Sequence, residues 1–126
     1  MDPAPDPRRP RSVYGRGSEP DPRFSMANER TALAWVRTAL ALVAGGIGLT
    51  SVARLAGLSR VLDVVAVVLC AGGAGLAVVA VAGWRRREVA MRLDEPLPAP
   101  AALTWLGVAV AVAALVLAGY VALRDL

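Results

Sequence analysis

The residues best suited to chemistry in this sequence are arginines that stand beside long apolar runs. All 14 basic residues are arginine, and the chain has no histidine and one cysteine, Cys70. Without histidine the chain lacks the commonest general base and metal ligand, and a single thiol cannot form a disulfide framework or a cysteine-rich metal site. The composition therefore predicts no catalytic site, no metal site and no cofactor, and it favours binding of anions over enzymatic chemistry.

The densest polar cluster leads directly into the first apolar run, and its last arginine, Arg37, lies inside that run. Charge beside hydrocarbon is costly, so such a residue usually has a specific partner, a polar cavity or a route to the lipid headgroups. A second basic group follows Trp84 at the end of the next apolar run. The candidate anion-binding or pore residues are Arg23, Glu29, Arg30, Arg37 and Arg85.

Three apolar runs must position these side chains, and they predict an all-α membrane protein with three transmembrane helices. We expect spans at about 28–53, 61–84 and 101–123, with Asn28 as the cap of the first helix. The uncharged part of the first span, residues 38–53, covers only about 24 Å of a hydrocarbon core of about 30 Å. Arg37 should therefore lie close to the membrane boundary.

The first 22 residues differ in composition from the rest of the chain. They hold six of the nine prolines and four arginines. Such a segment buries too little apolar area to offset the entropy of ordering it. We predict a disordered cytoplasmic tail over residues 1–22, whose arginines either touch anionic lipid or are simply solvated, and a three-helix membrane domain over residues 23–126.

Arginine counting predicts the orientation. Ten arginines flank the first span's beginning and the loop after the second span, against three on the opposite side. The positive-inside rule then places the N-terminus in the cytoplasm and the C-terminus outside. This explanation of the net charge of +4 leaves no reason to expect a nucleic-acid partner. The expected location is the bacterial plasma (inner) membrane, with several passes.

One face of the first helix combines two arginines with small residues. At 100° per residue the members of this stripe fall within about 40° of one line. Small residues let helices approach closely in lipid, so the stripe is a candidate buried face that points to the bundle interior or to an oligomer axis. The alternative is that both arginines reach up to headgroup phosphates. The stripe comprises Arg30, Ala34, Arg37, Ala41, Ala44 and Gly48.

The segment Ala27-Asn28-Glu29-Arg30-Thr31, followed by Leu33, Trp35 and Arg37-Thr38, resembles the YidH-like family, the domain of unknown function DUF202. This family consists of small bacterial membrane proteins with three predicted spans. The pattern is also similar to the membrane domain of the yeast vacuolar transporter chaperone, a polyphosphate-conducting channel attached to a polymerase. The resemblance covers about residues 22–124.

The second resemblance implies roles for particular side chains. In the chaperone family, basic residues just before and within this motif line the pore, as does a basic residue after a tryptophan that ends the second span. The resemblance implies that the matching pore residues of this sequence are Arg23, Arg30 and Arg85, with Glu29 as the neighbouring acidic residue. Arg37 fits the bacterial pattern better than the yeast one.

Two functions are compatible with these features. The first is a non-enzymatic module that oligomerises through small faces and forms an arginine-lined, anion-attracting cytoplasmic mouth, for transport of anions or polyphosphate-like chains. The alternative is a structural or accessory subunit of a membrane complex, with arginines that serve only topology and lipid contact. The expected partners are the lipid bilayer, a second copy or another membrane protein, and a phosphate-type anion.

Overall fold

The computed structural model describes residues 4–55, 57 and 60–124. Every regular element in this part of the chain is a helix: α1 (Arg11–Tyr14), α2 (Pro22–Leu55), α3 (Arg60–Arg92) and α4 (Ala101–Arg124). Three of them, α2, α3 and α4, are long and apolar enough to cross a membrane. The predicted all-α fold with three transmembrane helices is confirmed.

Helix α3 is the central element, and it packs against both α2 and α4. The beginning of α2 lies beside the end of α3, where the Asn28 side chain donates a hydrogen bond to the Trp84 carbonyl at 3.1 Å. Ala102 of α4 joins the same core cluster as Ala39 and Leu76. Helix α4 begins about halfway along α2 and α3, level with Ala39 and Leu76, whereas the beginning of α2 and the end of α3 lie together at one end of the bundle. We call it the arginine-rich end.

Small residues let the three helices approach closely. On α3, Gly73 faces α2, and a Cβ atom there would lie 2.7 Å from the Ala39 carbonyl oxygen. Gly75 faces α4 instead, and the ring of Trp105 occupies the space where its Cβ would stand. The Trp105 indole also donates a hydrogen bond to the Gly72 carbonyl at 3.0 Å. In lipid, where close packing and hydrogen bonds rather than the hydrophobic effect hold helices together, these contacts fix both neighbours of α3.

Helix α2 begins well before the expected position. Pro22 occupies its first turn, where a missing N–H costs nothing, and the Asp21 carboxylate accepts a hydrogen bond from the Arg23 N–H at 2.9 Å. The prediction that Asn28 caps this helix is wrong, because Asp21 and Pro22 already provide a start signal. Asn28 lies within the helix, with its side chain buried against α3.

Helix α3 continues past Trp84 to Arg92, because its charged turns still form helix after the apolar run has ended. Its end is a Schellman-type cap, in which the Glu95 N–H donates to the Ala90 carbonyl at 2.9 Å and Asp94 adopts a positive φ of 53°. Pro96 follows and prevents further helix. The linker then leads to α4 at Ala101.

Candidate functional site

The structure does not bring the predicted anion-binding residues together. The Arg23 side chain is 89% exposed and forms an ion pair with Asp21 at 2.9 Å. Glu29, Arg30 and Arg37 are exposed along α2, while Arg85 is exposed on α3. No ion pair or side-chain hydrogen bond joins these five residues to one another within the described ranges. A shared vestibule within one chain is therefore absent there.

The small stripe of α2 points away from the rest of the molecule. Ala39 and Gly46, on the opposite side of the helix, are the residues buried against α3. The expectation that the stripe faces the interior of this bundle is therefore wrong. A Cβ on Gly48 would have no atom within 4 Å. The exposed packing candidates are Ala34, Ala41, Ala44 and Gly48.

A buried polar cluster joins α2 to α3 at the arginine-rich end. The Asn28 amide nitrogen donates to Glu88 Oε2 at 3.2 Å as well as to the Trp84 carbonyl, and the Asn28 amide oxygen accepts from Arg87 Nε at 2.8 Å. Ser25 donates to Glu88 Oε1 at 2.8 Å. Both ends of the Asn28 side chain are thus used, and the Glu88 carboxylate is held by α2 on both of its oxygens.

Arg92 extends this cluster toward the N-terminal segment. Its side chain is 3% exposed, lies 3.9 Å from the Glu88 carboxylate and donates to Glu19 at 3.0 Å. The ring of Tyr14 packs against the Arg92 guanidinium, 4.9 Å from its Cζ, and against that of Arg8, 4.7 Å from its Cζ. Planar guanidinium groups stack well on aromatic rings, so Tyr14 holds two positively charged groups close together. The neighbouring carboxylates reduce the repulsion between these two charges.

The N-terminal segment also contacts the backbone at the end of α3. Ser18 N–H donates to the Arg92 carbonyl at 3.0 Å, which satisfies one of the free carbonyls at the helix end. Gly17 has a positive φ of 57°, and a Cβ there would collide with the same carbonyl. Val13 of α1 is fully buried. Glycine at position 17 is therefore what allows this close approach.

Over residues 4–22 this arrangement differs from the disordered tail that composition predicts, and residues 1–3 of that prediction lie outside the described residues. Ordering here relies on charged and aromatic contacts rather than on apolar area. Arg8 pairs with both Asp6 and Glu19 at 2.6 Å, and Glu19 also binds Arg92. The apolar content of the segment alone does not predict such a network of ion pairs.

The ion pairs shift the acid–base properties of the segment. Hydrogen bonds from Arg8 lower the pKa of Asp6 to about 2. The pKa of Glu19 is also lowered, mainly by its hydrogen bond with Arg8 and further by Arg92. Arg23 lowers the pKa of Asp21 through side-chain and backbone hydrogen bonds. All three carboxylates are therefore ionised throughout the neutral range.

Two guanidinium nitrogens in the cluster are buried without a hydrogen-bond acceptor among the described residues. They are Arg87 Nη2 and Arg92 Nε. The other bonds of the cluster join Ser25 and Asn28 of α2 to Arg87 and Glu88 of α3. Buried polar bonds of this kind hold elements in one geometry. The cluster is therefore suited to joining α2, α3 and the N-terminal segment.

Sequence reasoning missed Asn28, Arg87, Glu88 and Arg92 as a joined set. Glu29 is the acid that the sequence offers beside these arginines, but the contact is made by its neighbour Asn28, which accepts a hydrogen bond from Arg87. One signal was present in the sequence. Trp84, Glu88 and Arg92 recur every four residues and so share one helix face.

Comparison with known proteins assigns a family. The family model described as Domain of unknown function (DUF202) matches residues 23–90. Inner membrane protein YidH of Escherichia coli strain K12 is 42% identical over 105 residues, which are 83% of this chain and 91% of that protein. Uncharacterized protein Rv2272 of Mycobacterium tuberculosis strain H37Rv is 41% identical over 83 residues, 64% of this chain and 66% of that protein. No solved structure matches.

The matched region contains Ser25, Asn28, Arg87 and Glu88, the part of the buried cluster that joins α2 to α3, and it ends before Arg92. Together with three apolar spanning helices, the similarity to an inner membrane protein places the chain as a multi-pass protein of the bacterial inner membrane. The chain belongs to the DUF202 family of YidH-like inner membrane proteins.

Proposed function

We propose that this protein is a non-enzymatic module that associates with copies of itself through the small stripe of α2 and forms an anion-attracting mouth from Arg30 and Arg37. The mouth would serve the passage of phosphate-type anions or polyphosphate-like chains. One observation carries the proposal. Arg37 is exposed on a face of small residues and has no ion-pair partner within residues 4–55, 57 and 60–124.

The position of Arg37 along the membrane normal makes its exposure costly. Trp35 and Ala39, on either side of it, pack in the core cluster with Leu76 and Ala102. Since Ala102 belongs to the first turn of α4, Arg37 lies at the level where α4 begins its apolar run. An arginine at this level needs a headgroup, a water-filled path or a neighbouring chain.

The small residues below Arg37 favour the neighbouring chain. Ala41, Ala44 and Gly48 offer a smooth surface, and smooth surfaces promote helix association in lipid. When several copies turn this stripe toward a common axis, Arg30 and Arg37 form two stacked rings of positive charge. Such rings concentrate anions near an opening.

The other candidate residues take different positions in this proposal. Arg23 and Glu29 belong to the rim, about four and about two turns before Arg37 along α2. Arg85 stands on the open face of α3 and is not part of the mouth. The relation to the vacuolar transporter chaperone, and with it the polyphosphate substrate, remains a prediction from the sequence motif.

Anion flux through reconstituted full-length protein tests the proposal. Vesicles loaded with radiolabelled phosphate or short-chain polyphosphate should release it, and Arg37→Gln should slow release by at least about tenfold because a ring of charge is lost. Arg54→Gln makes the same change on an exposed arginine near the other end of α2 and should leave release unchanged. Equal release from both variants would overturn the anion role.

The accessory-subunit alternative has its own support. Arg23 and Arg30 are exposed where lipid phosphates can reach them, and topology alone accounts for such arginines. This alternative expects no release from vesicles of parent protein and a second membrane protein that co-purifies in fixed ratio from native membranes. The combination of these two results would replace the proposed anion path.

A further inference from the structure

A second arginine group lies on a different face from the proposed mouth. Arg16 of the N-terminal segment and Arg85 and Arg86 of α3 line one cavity of about 450 Å³. The only acidic side chain in its described lining is Glu95. Three guanidinium groups against one carboxylate give this cavity a positive charge, and none of the three arginines has an ion-pair partner within the described part of the chain.

The walls of this cavity come from three separate parts of the chain. The N-terminal segment contributes Val13 and Arg16, α3 contributes its last turns, and the linker before α4 contributes Pro96 and Pro98. Val13 is fully buried, and the two prolines have fixed φ angles, so the walls on both sides are stiff. The arginine side chains themselves are exposed at the mouth of the cavity.

An apolar groove lies beside this cavity along α3. The groove has a volume of about 640 Å³, and Arg85 and Arg86 line both spaces. Its other walls are Ala77, Val78, Val81 and Ala82, within the apolar part of the helix. A charged compartment at the arginine-rich end thus shares two of its arginines with an apolar groove that lies along the spanning part of α3.

We propose that these two spaces together form a binding site for one anionic phospholipid. The headgroup phosphate binds between Arg16, Arg85 and Arg86, and an acyl chain lies along Val78 and Val81. A soluble phosphate would use only the charged half, and a neutral lipid only the apolar half. Basic pockets beside spanning helices are the chemistry that recognises anionic headgroups. The site lies apart from the α2 stripe and does not depend on the proposed mouth.

Lipid retention by the purified full-length protein tests this site. The probes are phosphatidylglycerol and phosphatidylcholine, added in detergent and counted per chain by native mass spectrometry. The parent should bind one phosphatidylglycerol in preference to phosphatidylcholine. Each arginine contributes about fivefold to the preference, so Arg16→Gln should lower it by about fivefold and the double variant Arg85→Gln/Arg86→Gln by about 25-fold.

A matched control separates a site from general attraction. Arg9→Gln/Arg11→Gln removes two exposed arginines from the same end of the chain, outside the cavity lining. It should retain the parent's preference. Equal loss in both double variants would overturn the site, since it would mean that net charge alone attracts the lipid. Circular dichroism and elution volume establish that each variant keeps its helices.

A headgroup fragment separates the lipid from a soluble anion. Glycerol 3-phosphate carries the phosphate without acyl chains, so it should compete for the site only at concentrations at least about a hundredfold higher than phosphatidylglycerol, because each buried CH₂ adds to affinity. Competition at equal concentrations would overturn the lipid assignment. Because Arg37→Gln should retain the lipid unchanged, failure of this site and failure of the proposed mouth are distinguishable.

Discussion

Asn28 joins α2 to α3 through both ends of its side-chain amide. Its nitrogen donates to the Trp84 carbonyl and to Glu88, and its oxygen accepts from Arg87. Asn28 is 6% exposed, so water cannot replace these bonds. A single buried amide thereby sets the register between the two helices at the arginine-rich end.

Replacing Asn28 should therefore cost more than one ordinary hydrogen bond. Asn28→Ala leaves Arg87 Nε and Glu88 Oε2 without their partner, and each unsatisfied buried group costs about 1–3 kcal/mol. We expect a loss of about 2–4 kcal/mol in the free energy of unfolding, measured by denaturant titration in micelles.

Thr31→Ala is the matched control for Asn28→Ala. The Thr31 hydroxyl bonds only to the Ala27 carbonyl of its own helix at 3.0 Å and is exposed. Its removal should change stability by less than about 0.5 kcal/mol. Similar losses in the two variants would mean that the buried cluster does not stabilise the α2–α3 contact.

At the scale of elements, the N-terminal segment is held to α3 by charge pairs that depend on pH. Arg8 and Arg92 lower the pKa of Glu19 below its ordinary 4.5, and Arg8 lowers that of Asp6 from 3.8 to about 2. A lowered pKa means that the contact is fully present above the ordinary value and is lost as pH falls through the lowered one. Docking should therefore hold at neutral pH and weaken below about pH 4.5, with the Asp6 contribution lost between 3.8 and about 2.

A spin label on Ser18→Cys, in a Cys70→Ala background, reports this docking through its mobility. The label should be restricted at pH 7 and become mobile as pH falls below about 2, and Glu19→Gln or Gly17→Ala should make it mobile already at pH 7. Asp63→Asn, an exposed acid in the first turn of α3, should behave like the parent. A label that is equally mobile at both pH values in the parent would show that the segment is not docked.

The apolar runs, bounded by glycines and prolines, predict the three spanning helices directly, because the length and hydropathy of a segment determine whether it can cross a membrane. They do not decide which face of α2 meets α3. Ala39, Gly46 and Ala53 form a buried face with seven-residue spacing, while the exposed stripe offers equally small residues on the other side. A helix that is apolar nearly all round gives no amphipathic signal, so two small faces compete and only tertiary contacts distinguish them.

The buried cluster at the arginine-rich end was harder to predict for a related reason. Glu88 and Arg92 follow the apolar run of α3, so the sequence predicts solvent-exposed charges there, and nothing in their own helix requires them to be buried. Glu88 is buried because Ser25 and Asn28 of α2 bind it, and Arg92 is buried where the N-terminal segment covers it. The orientation across the membrane stays a prediction from arginine counting.

For the whole molecule, α3 serves two neighbours and leaves the outer faces of α2 and α4 uncovered. On α2 that outer face combines the small stripe below Arg37 with exposed larger side chains such as Leu40 and Ile47, whereas the open face of α3 carries valines such as Val78, which is 70% exposed. A run of small residues favours the close approach of another helix. The proposed self-association uses the stripe of α2, and the proposed lipid site lies on the valine face of α3.

Cross-linking between copies tests that self-association most directly. In a Cys70→Ala background, Ala41→Cys places a thiol on the stripe and Val78→Cys places one on the valine face. Oxidation or a short bismaleimide in native membranes should join chains through position 41 and leave position 78 monomeric. Cross-linking at position 78 alone, or at neither position, would contradict the account.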